Sequence, residues 1–553
     1  MNLLEDQWLP LRTRDGGVRN GPPSAIADSD VVDIAFPRAD FDGAAWQFLI
    51  GLLQTTVAPE DHEAWEVWWR DPPDAAGLEE SFAPCRQAFD VYGEGPRFMQ
   101  DRQPLDDARA ASVASLLIDA PGDQGIKFNT DHFVKRGIGE TMCPRCAAVA
   151  LYTMQINAPS GGQGHRTGLR GGGPLTTLVL PEDDDQTLWR KLWLNVLPTD
   201  SLDRHAGWSA HDYGDWRVFP WLAATRTSDK AGKDTTPNDV HPLHMYWAMP
   251  RRFRLLLEDT ACECAVCGQP SEQSVHRVRA RNYGYNYTGP WRHPLTPYRF
   301  DPKKPAESPI SLKGQQGGLG YRHWEPLVLE DREVRGNLPA LVVRDYTAKA
   351  REISGGAPGS YRARLWVFGY DMDNMKPRGW YAIHMPLVAI PESSGARARL
   401  LNWVDTMTTA AASAAGQLRN AVKAAWYARP KDAAGDFSFV EQRLWEATEE
   451  PFYSCLATLA ASAETVADDM MPPEVATRWY RVIQHQSLAV FDGLTLAGDA
   501  EALNMKRAIA ARNGLQRRVL GSKEMKQLRA WAGLNQSSGS ETASTTAKAG
   551  ETT

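Results

Sequence analysis

The chain has 553 residues, of which 42% are hydrophobic and 23% are charged, and this balance favours a folded protein with more than one domain. Its formal net charge of −7 argues against a surface that is cationic throughout, but leaves room for a local basic groove. No apolar run reaches the roughly 18 residues of a membrane span, and the first residues, MNLLEDQWLPLR, do not have the form of a secretion signal, so we expect a cytoplasmic protein with no membrane partner.

Residues 1–390 mix short apolar runs, turns rich in proline and glycine, and a few helical patterns, which is typical of an α+β domain. The first clear helix is predicted at residues 42–56, with Asp40 or Asp42 as its N-cap. Residues 146–156 form an apolar run whose length fits either a buried helix or a strand. Two strands are predicted further on, at residues 175–180 and 365–370.

Residues 391–533 have a different pattern, because apolar side chains recur there at helical spacing and prolines or glycines separate the repeats. Short connections between amphipathic helices predict an up-and-down bundle. The predicted fold class is therefore an α+β N-terminal domain followed by an all-α C-terminal four-helix bundle. Residues 534–553 have almost no apolar content and are expected to form a disordered tail. The four predicted helices cover residues 392–428, 437–463, 473–491 and 500–531.

Four of the seven cysteines form two C-x-x-C pairs, Cys143 with Cys146 and Cys264 with Cys267. This spacing allows two thiolates on one tight turn to bind the same tetrahedral ion. Four cysteine ligands leave no open position, so a zinc ion bound there would be structural and would tie two distant loops together. Two alternatives stay open: the cysteines are reduced and hold no metal, or Cys262 takes the place of Cys264.

Residues 158–174, APSGGQGHRTGLRGGGP, are unusually rich in glycine, which allows a ligand or another segment to approach the main chain closely. The stretch is not a Walker A loop, since no Lys-Ser or Lys-Thr follows Gly168. It is not a dinucleotide-binding fingerprint either, because the spacing from Gly164 to Gly168 is one residue too long. The stretch therefore gives no support for a nucleotide-hydrolysing enzyme. The alternative to a binding loop is a flexible loop with no binding function.

Two further segments suggest contact with nucleic acid. Residues 275–291, VHRVRARNYGYNYTGPW, interleave arginines with aromatic residues, so that Arg277, Arg279 and Arg281 would share one face of a strand. The alternative is an ordinary strand with a solvated basic face. Residues 369–380, GYDMDNMKPRGW, predict a β-hairpin with a polar tip, for which an ordinary solvated turn is the alternative.

No catalytic motif is recognised. Asp371 and Asp373 have no further acidic or histidine partner in the pattern, which argues against a two-metal nuclease. His241 and His244 fit structural roles better than a metal site.

Several stretches of this sequence resemble the CasA family, the large subunit of the type I-E CRISPR surveillance complex Cascade. The resemblance covers most of the chain up to about residue 533 and is weak at residues 182–258 and 303–359. The matching stretches are NLLEDQWLPLR, FPRADFDGAAWQFLIGLLQ, RFMQ, HFVKRGIGETMCPRC, NAPSGGQGHRTGLRGG, CAVCGQ, WRHP and the helical C-terminal region.

The resemblance implies a non-catalytic subunit that reads a protospacer-adjacent motif (PAM) in double-stranded DNA, starts strand separation and helps to recruit a helicase–nuclease. Its partners would include the guide RNA and the other Cascade subunits, and target sequence would be read by pairing with that guide. The family's glycine loop, which lies in the minor groove of the PAM, corresponds to residues 160–164, with Gly161, Gly162, Gln163 and Gly164 as the DNA-binding positions. The resemblance implies that Gln163 faces the base pairs, at a position where a relative has glycine.

Three more family features are carried over from the resemblance. A loop that docks the subunit near the guide RNA corresponds to Phe133 and Val134, followed by Lys135 as a DNA contact. The basic residue of the DNA groove lands at Arg279, Arg281 or Asn282. The glutamine wedge that splits the first base pairs aligns with Asn374, a shorter amide, and Met375 and Lys376 are rival wedge residues.

Two other functions are alternatives to this one. A zinc-dependent nuclease or deaminase acting on nucleic acid would need an open metal position and a general base such as Glu140 or Glu263. A purely structural scaffold would tolerate the substitutions Gln163→Asp and Asn374→Ala without loss of PAM-dependent binding.

Overall fold

The computed structural model divides the chain into two compact units. The first unit contains Met1–Leu319 and Pro326–Leu387, and the second contains Gly320–Glu325 and the chain from Val388 onward. The structure describes residues 1–121, 137–202, 214–355, 361–373, 376–391, 393–466, 468–497 and 504–534.

The strands of the first unit pair as small antiparallel sheets, with strand orders β2-β1-β3, β4-β9-β6, β14-β13-β5, β11-β10-β12 and β7-β8. None of these sheets has more than three strands among the described residues, so loops and helices cover much of the unit. The strands are β1 Leu9–Thr13, β2 Val18–Gly21, β3 Val31–Ile34, β4 Ala110–Ser112, β5 Thr176–Pro181, β6 Arg252–Glu258, β7 Cys262–Glu263, β8 Pro270–Ser271, β9 Ser274–Arg281, β10 Tyr298–Arg299, β11 Ile310–Ser311, β12 Asn337–Leu338, β13 Ala363–Asp373 and β14 Lys376–Leu387.

The helices between these strands supply the main apolar core. Phe48, on the first helix, packs edge-on against Trp8, Phe98 and Trp247 at ring-centroid distances of 5.2, 5.8 and 5.7 Å. Aromatic contacts of this kind stabilise a core beyond the area they bury. The helices up to the end of the first unit are α1 Ala39–Thr56, α2 His62–Arg70, α3 Ala75–Phe82, α4 Pro144–Asn157, α5 Leu188–Trp193, α6 Trp324–Val328 and α7 Leu341–Ile353.

The predicted N-cap of α1 is wrong. The cap residue is Arg38, which makes no side-chain capping bond. Asp40 instead accepts hydrogen bonds from Arg38 and from the hydroxyl of Tyr370, and Asp42 accepts one from the amide of Phe36 at 2.7 Å. The amide of Phe41 also donates to Asp40, at 3.1 Å, so Asp40 combines a contact within its own first turn with a tertiary one, and Asp42 is bonded to the segment before the helix.

Other predictions for this unit are matched by the observed elements. The undecided run at residues 146–156 lies inside α4, which is buried on almost every side. The two predicted strands fall in β5 and β13, which pair with each other, and β13 forms the predicted hairpin with β14. The α+β character of the first unit is confirmed.

The second unit is helical over its described residues from Val388 onward, as predicted, with five helices in place of the expected four. The predicted helix at residues 500–531 is two helices, because the first ends at Gly521 and Ser522 caps the next by accepting a hydrogen bond from the amide of Met525. None of the helices in the described ranges is long and apolar enough to span a membrane. The five helices are α8 Ser394–Trp426, α9 Ser438–Ser462, α10 Pro473–Thr495, α11 Met505–Leu520 and α12 Lys523–Trp531.

Candidate nucleic-acid interface and cysteine cluster

The two C-x-x-C pairs meet in space. The sulfur atoms of Cys143, Cys146, Cys264 and Cys267 all lie within 4.8 Å of one another, and those of Cys143 and Cys267 are 3.9 Å apart. Four sulfurs around a tetrahedral zinc ion at about 2.3 Å would be separated by about 3.8 Å, so the donor set and its spacing fit zinc. Within the described ranges, this is the one group of three or more metal-ligating side chains close enough to share an ion.

Main-chain hydrogen bonds bring the two cysteine pairs together. Cys143 is the N-cap of α4 and Cys146 lies in its first turn, while the second pair occupies the turn between β7 and β8. The amide of Ala265 donates to the carbonyl of Thr141, at 2.9 Å. Met142 and Val275 exchange two further main-chain hydrogen bonds of 3.0 and 2.8 Å.

Cys262 does not join this cluster. Its thiol faces the carbonyl of Gln273, with a sulfur–oxygen distance of 3.7 Å, and it lies outside the group of four sulfurs. The geometry therefore selects Cys264 over Cys262.

The glycine-rich stretch divides into an exposed half and a buried half. Gly161, Gly162 and Gln163 are exposed, and Gly162 has a φ of +92° with no atom within 4 Å of the place a Cβ would occupy. Further along, a Cβ on Gly173 would lie only 2.5 Å from Cγ of Met372 on β13. The first half therefore presents bare main chain to the outside, while in the second half the glycine at position 173 leaves room for the hairpin to pack closely.

Arg251 holds the base of the exposed half. Its Nε donates to the carbonyl of Arg166 at 2.7 Å, its Nη2 donates to the carbonyl of Pro159, and its Nη1 lies 3.1 Å from Nδ1 of His165. Burial lowers the pKa of Arg251 to about 10, which leaves the guanidinium charged at neutral pH. One side chain therefore closes the loop of residues 159–166, which we call the glycine loop.

The glycine loop also contacts the end of β9, as a binding surface built from both segments requires. Nδ2 of Asn282 donates to the carbonyl of Gln163 at 2.9 Å, and the amide of Tyr283 donates to the carbonyl of Gly164 at 2.8 Å. Gly164 has a φ of +76°, and a Cβ there would lie 2.8 Å from Cβ of Asn282. Two predicted DNA-binding positions, Gln163 and Asn282, are thus in direct contact.

The arginines of β9 are arranged differently from the expected free basic face. Arg279 forms an ion pair with Asp106, and Arg281 forms one with Asp107. Both carboxylates belong to the loop before β4, and each aspartate is at least 70% exposed. The predicted groove cations are therefore neutralised, in this structure, by carboxylates of the same chain.

The hairpin is stabilised by an ion pair below its tip. Arg378 donates to both carboxylate oxygens of the buried Asp371, at 2.7 and 2.9 Å, and lies 3.6 Å from Asp373. The two aspartates therefore have a cationic partner, which agrees with the argument against a two-metal nuclease. Lys376, a rival wedge residue, is exposed at the start of β14.

Five predicted site residues lie outside the described residues. They are the wedge candidates Asn374 and Met375 and the docking-loop residues Phe133, Val134 and Lys135.

His244 has a structural environment, as the sequence suggested. It is buried, its Nε2 lies 2.9 Å from the hydroxyl of Tyr287, and its Nδ1 lies 3.1 Å from the carbonyl of Arg217. Burial lowers the pKa of His244 to about 3, so the imidazole is neutral.

Sequence reasoning missed the residues that support the glycine loop. Arg251 lies in a segment with only a weak family resemblance, and no motif surrounds it. Arg166, inside the glycine loop, was not recognised as an anchor, although it donates to Oγ and the carbonyl of Ser228 at 2.8 and 2.7 Å. Lys313, beside the buried half of the stretch, was also overlooked.

The fold and the site together define a class of protein in which an α+β unit carries a four-cysteine cluster and an exposed glycine loop, and a helical unit follows. The family model for CRISPR-associated protein Cse1 matches residues 2–490. The chain therefore belongs to the CRISPR-associated protein Cse1 family, and the resemblance noted from the sequence is confirmed.

Solved structures agree with this assignment at the level of the fold. Cse1 from Thermobifida fusca is 20% identical, with 95% of this chain and 98% of that chain covered and a TM-score of 0.67. CasA (Cse1) from Thermus thermophilus is 17% identical, with coverages of 94% and 99% and a TM-score of 0.62. A chain of a CRISPR RNA-guided surveillance complex is 16% identical, with coverages of 94% and 99% and a TM-score of 0.65.

Proposed function

We propose that this chain is the large, non-catalytic subunit of a Cascade complex, in which it recognises a PAM in double-stranded DNA and starts R-loop formation. Family membership supports the assignment to such a complex, as does the likeness to a chain of a CRISPR RNA-guided surveillance complex. The guide RNA and the other subunits would be its stable partners, and a helicase–nuclease would be recruited after the target is opened. The docking loop at Phe133 and Val134 is assigned to the guide-RNA end of the complex, and the protein is expected to act in the cytoplasm.

The observation that carries the proposal is the exposed main chain at residues 161–163, in a loop whose base is fixed by hydrogen bonds from Arg251. Minor-groove edges distinguish mainly A·T from G·C pairs, so a narrow main-chain loop is suited to tolerant reading of a short motif. Glycine allows the loop to approach the base edges closely. Asn282, bonded to the carbonyl of Gln163, would lie beside the same groove.

Strand separation is assigned to the β13–β14 hairpin. Unstacking a base step costs a few kcal/mol, and an inserted side chain offsets part of that cost. The wedge would be Asn374, with Met375 and Lys376 as the rival residues at the same tip. Because the buried half of the glycine stretch packs against β13, reading and opening would take place on adjoining parts of one unit.

Capture of the DNA backbone is assigned to Lys135, Arg279 and Arg281. The two arginines are paired with Asp106 and Asp107, so DNA phosphates would have to displace these carboxylates. Such competition would lower the affinity for any duplex, whatever its sequence. Discrimination between duplexes with and without a PAM would then depend more on the glycine loop.

The four-cysteine cluster is proposed to hold one structural zinc ion through Cys143, Cys146, Cys264 and Cys267. The ion would supply a cross-link between α4 and the β7–β8 turn, and a complete set of thiolates would leave no position for an activated water. Zinc content together with an assay for DNA cleavage and deamination separates this proposal from a zinc-dependent nuclease or deaminase, which would show turnover.

The proposal is tested with the assembled complex on duplexes that differ only in the PAM. Gly162→Ala places a side chain at a φ of +92° on the exposed loop, and Gly93→Ala is a matched control because Gly93 is also exposed, with a φ of +127° and open space around it. We expect the wild type and Gly93→Ala to prefer the PAM duplex, and Gly162→Ala and Gln163→Asp to lose most of that preference. Equal PAM preference in all four proteins would refute the role of the loop.

A further inference from the structure

Lys313 lies where the glycine stretch meets the segment after β11. Pro174 and Lys313 form an antiparallel bridge, and the amide of Leu175 donates to the carbonyl of Leu312 at 2.9 Å. The Lys313 side chain runs over Gly171, because a Cβ on that glycine would lie 3.7 Å from Cε and 3.8 Å from Nζ of the lysine. The ammonium group is thus held beside the glycine stretch.

The same segment is pressed against the hairpin. A Cβ on Gly314 would lie 2.9 Å from the carbonyl oxygen of Tyr370 and 3.0 Å from the main chain of Asp371. Both of these residues belong to β13. Lys313 therefore occupies a seam, defined here as residues 171–174 and 312–314 together with the part of β13 they touch.

Lys313 differs from the arginines of β9 and of the hairpin in having no carboxylate partner among the residues that the structure describes. It is exposed and forms no ion pair with any residue that the structure describes. Arg378 of the hairpin is bound by Asp371, and Arg279 and Arg281 are bound by Asp106 and Asp107. A phosphate approaching the seam would meet an ammonium group that needs no carboxylate to be displaced.

We propose that Lys313 binds the DNA phosphate that lies between the PAM and the first base pair to be opened. This inference rests on the proposed function, which assigns the glycine loop to the PAM and the hairpin to the opened pair. A cation on the seam between those two elements is placed to hold the backbone that runs from one to the other. Fixing that backbone would keep the duplex from sliding while the first pair is unstacked.

The test combines a protein variant with neutral phosphates. The assembled complex carrying wild-type chain, Lys313→Gln or Lys313→Arg is titrated with PAM-containing duplexes, each with one methylphosphonate at a linkage around the PAM. Lys304→Gln is the matched control, because Lys304 is also exposed but already lies 3.2 Å from a carboxylate oxygen of Glu307. Melting temperature of each variant serves as the folding check.

We expect Lys313→Gln to weaken binding about tenfold at low salt and to reduce the magnitude of the salt slope by about 1. Lys313→Arg and Lys304→Gln should bind like the wild type. One methylphosphonate between the PAM and the first opened pair should weaken the wild type but have no added effect on Lys313→Gln.

Two results would overturn the inference: tolerance of every neutral linkage in that interval by the wild type, or an undiminished methylphosphonate effect in Lys313→Gln. Loss of PAM preference in the wild type itself would instead refute the proposed function. The two failures are therefore distinguishable, and the wild-type scan is informative even when a variant does not assemble.

Discussion

At the scale of single residues, the guanidinium of Arg251 joins the two ends of the glycine loop. Arg251 reaches the carbonyl of the first residue of the loop, the carbonyl of its last residue and the ring of His165. Gln155 fixes the main chain of Arg251 by accepting from its amide at 3.0 Å and donating to its carbonyl at 2.9 Å. Gly161, Gly162 and Gly164 leave this loop with few side-chain contacts of its own, so contacts at its base help to fix its conformation.

Replacement of Arg251 by Met should loosen the glycine loop without removing it. We expect the complex to bind the PAM duplex roughly tenfold more weakly, with a smaller ratio of PAM to non-PAM affinity. The reason is that a mobile loop must give up conformational entropy when it binds. Arg251→Lys should restore only part of the ratio of PAM to non-PAM affinity, since one ammonium group cannot reach both carbonyls and the His165 ring together. Arg19→Met, which removes an exposed arginine paired with Asp28, is the control. A ratio unchanged by Arg251→Met would show that the loop does not need this anchor.

The raised pKa of Asp42 should make the stability of the fold depend on pH. Burial raises the pKa of its carboxyl to about 7 in the folded chain, above the unfolded value near 3.8. The folded state therefore binds the extra proton, and stability falls as pH rises from about 4 to about 7. Asp42→Asn should be more stable than the wild type at pH 7.5 by about 2 kcal/mol. This is half of the free energy that the full pKa difference would give, because the carboxyl is partly exposed. The difference in stability should vanish below pH 4. Thermal unfolding at both pH values measures it, and a constant difference at the two pH values would contradict it.

At the scale of elements, the loop before β4 contacts the same arginines of β9 that are proposed to bind DNA phosphates. Asp106 and Asp107 occupy the guanidinium groups of Arg279 and Arg281. Exposed ion pairs contribute little stability, typically less than about 1 kcal/mol, so these pairs are poorly explained as a means of holding the fold. Their clearer consequence is a lower cationic charge on the face assigned to the DNA backbone.

Neutralising both aspartates should therefore strengthen DNA binding. We expect the complex with Asp106→Asn and Asp107→Asn to bind duplexes with and without a PAM several-fold more tightly, with a salt slope larger in magnitude by up to about 2. The ratio of PAM to non-PAM affinity should not rise. Asp28→Asn, which frees Arg19 in the same kind of exposed pair, is the control. Unchanged or weaker binding by the double variant would mean that the two arginines do not face DNA.

The elements that were predictable from the sequence are those with local signals. C-x-x-C spacing, strand alternation and the polar hairpin tip are all set by residues a few positions apart, and the cysteine cluster, β9 and the β13–β14 hairpin match them. The contacts that sequence reasoning missed join distant positions. Arg251 bonds to residues 85 and 92 positions away, and the pairs of Arg279 and Arg281 span 173 and 174 positions.

The same reason accounts for the wrong cap on α1. Asp40 looked like a local cap, but it accepts a hydrogen bond from a tyrosine 330 positions away. No pattern within a few residues of α1 encodes that contact.

At the scale of the whole molecule, the cysteine cluster joins parts of the chain that are far apart in sequence. The cross-link between Cys143 and Cys267 would close a loop of 124 positions within the first unit. Such a link removes conformational entropy from the unfolded chain, and metal-binding energy adds to the stability of the fold. The turn that carries Cys264 and Cys267 is followed by β8 and then, two residues later, by β9, so the link also restrains the start of the strand assigned to DNA.

Loss of the metal should therefore lower stability more than loss of a nearby thiol. We expect Cys146→Ser, or treatment with a strong chelator, to release zinc and lower the melting temperature of the full chain by about 10 °C. Cys262→Ser should leave both unchanged, because that thiol is outside the cluster. Absence of zinc from the wild type, or equal melting of Cys146→Ser and the wild type, would contradict the assignment.

The central claim, that the exposed glycine loop enters the minor groove of the PAM, is tested most directly by cross-linking. Complex carrying Gln163→Cys is mixed with target duplexes that bear, on the minor-groove edge of one base at a time, a tether ending in an activated disulfide, whose leaving thiol is released when the cysteine attacks; Gly93→Cys is the control. We predict that Gln163→Cys forms a disulfide with tethers inside the PAM and not with tethers a full helical turn away, and that Gly93→Cys forms neither. Cross-linking of Gln163→Cys that is absent, or equal along the whole duplex, would contradict the account.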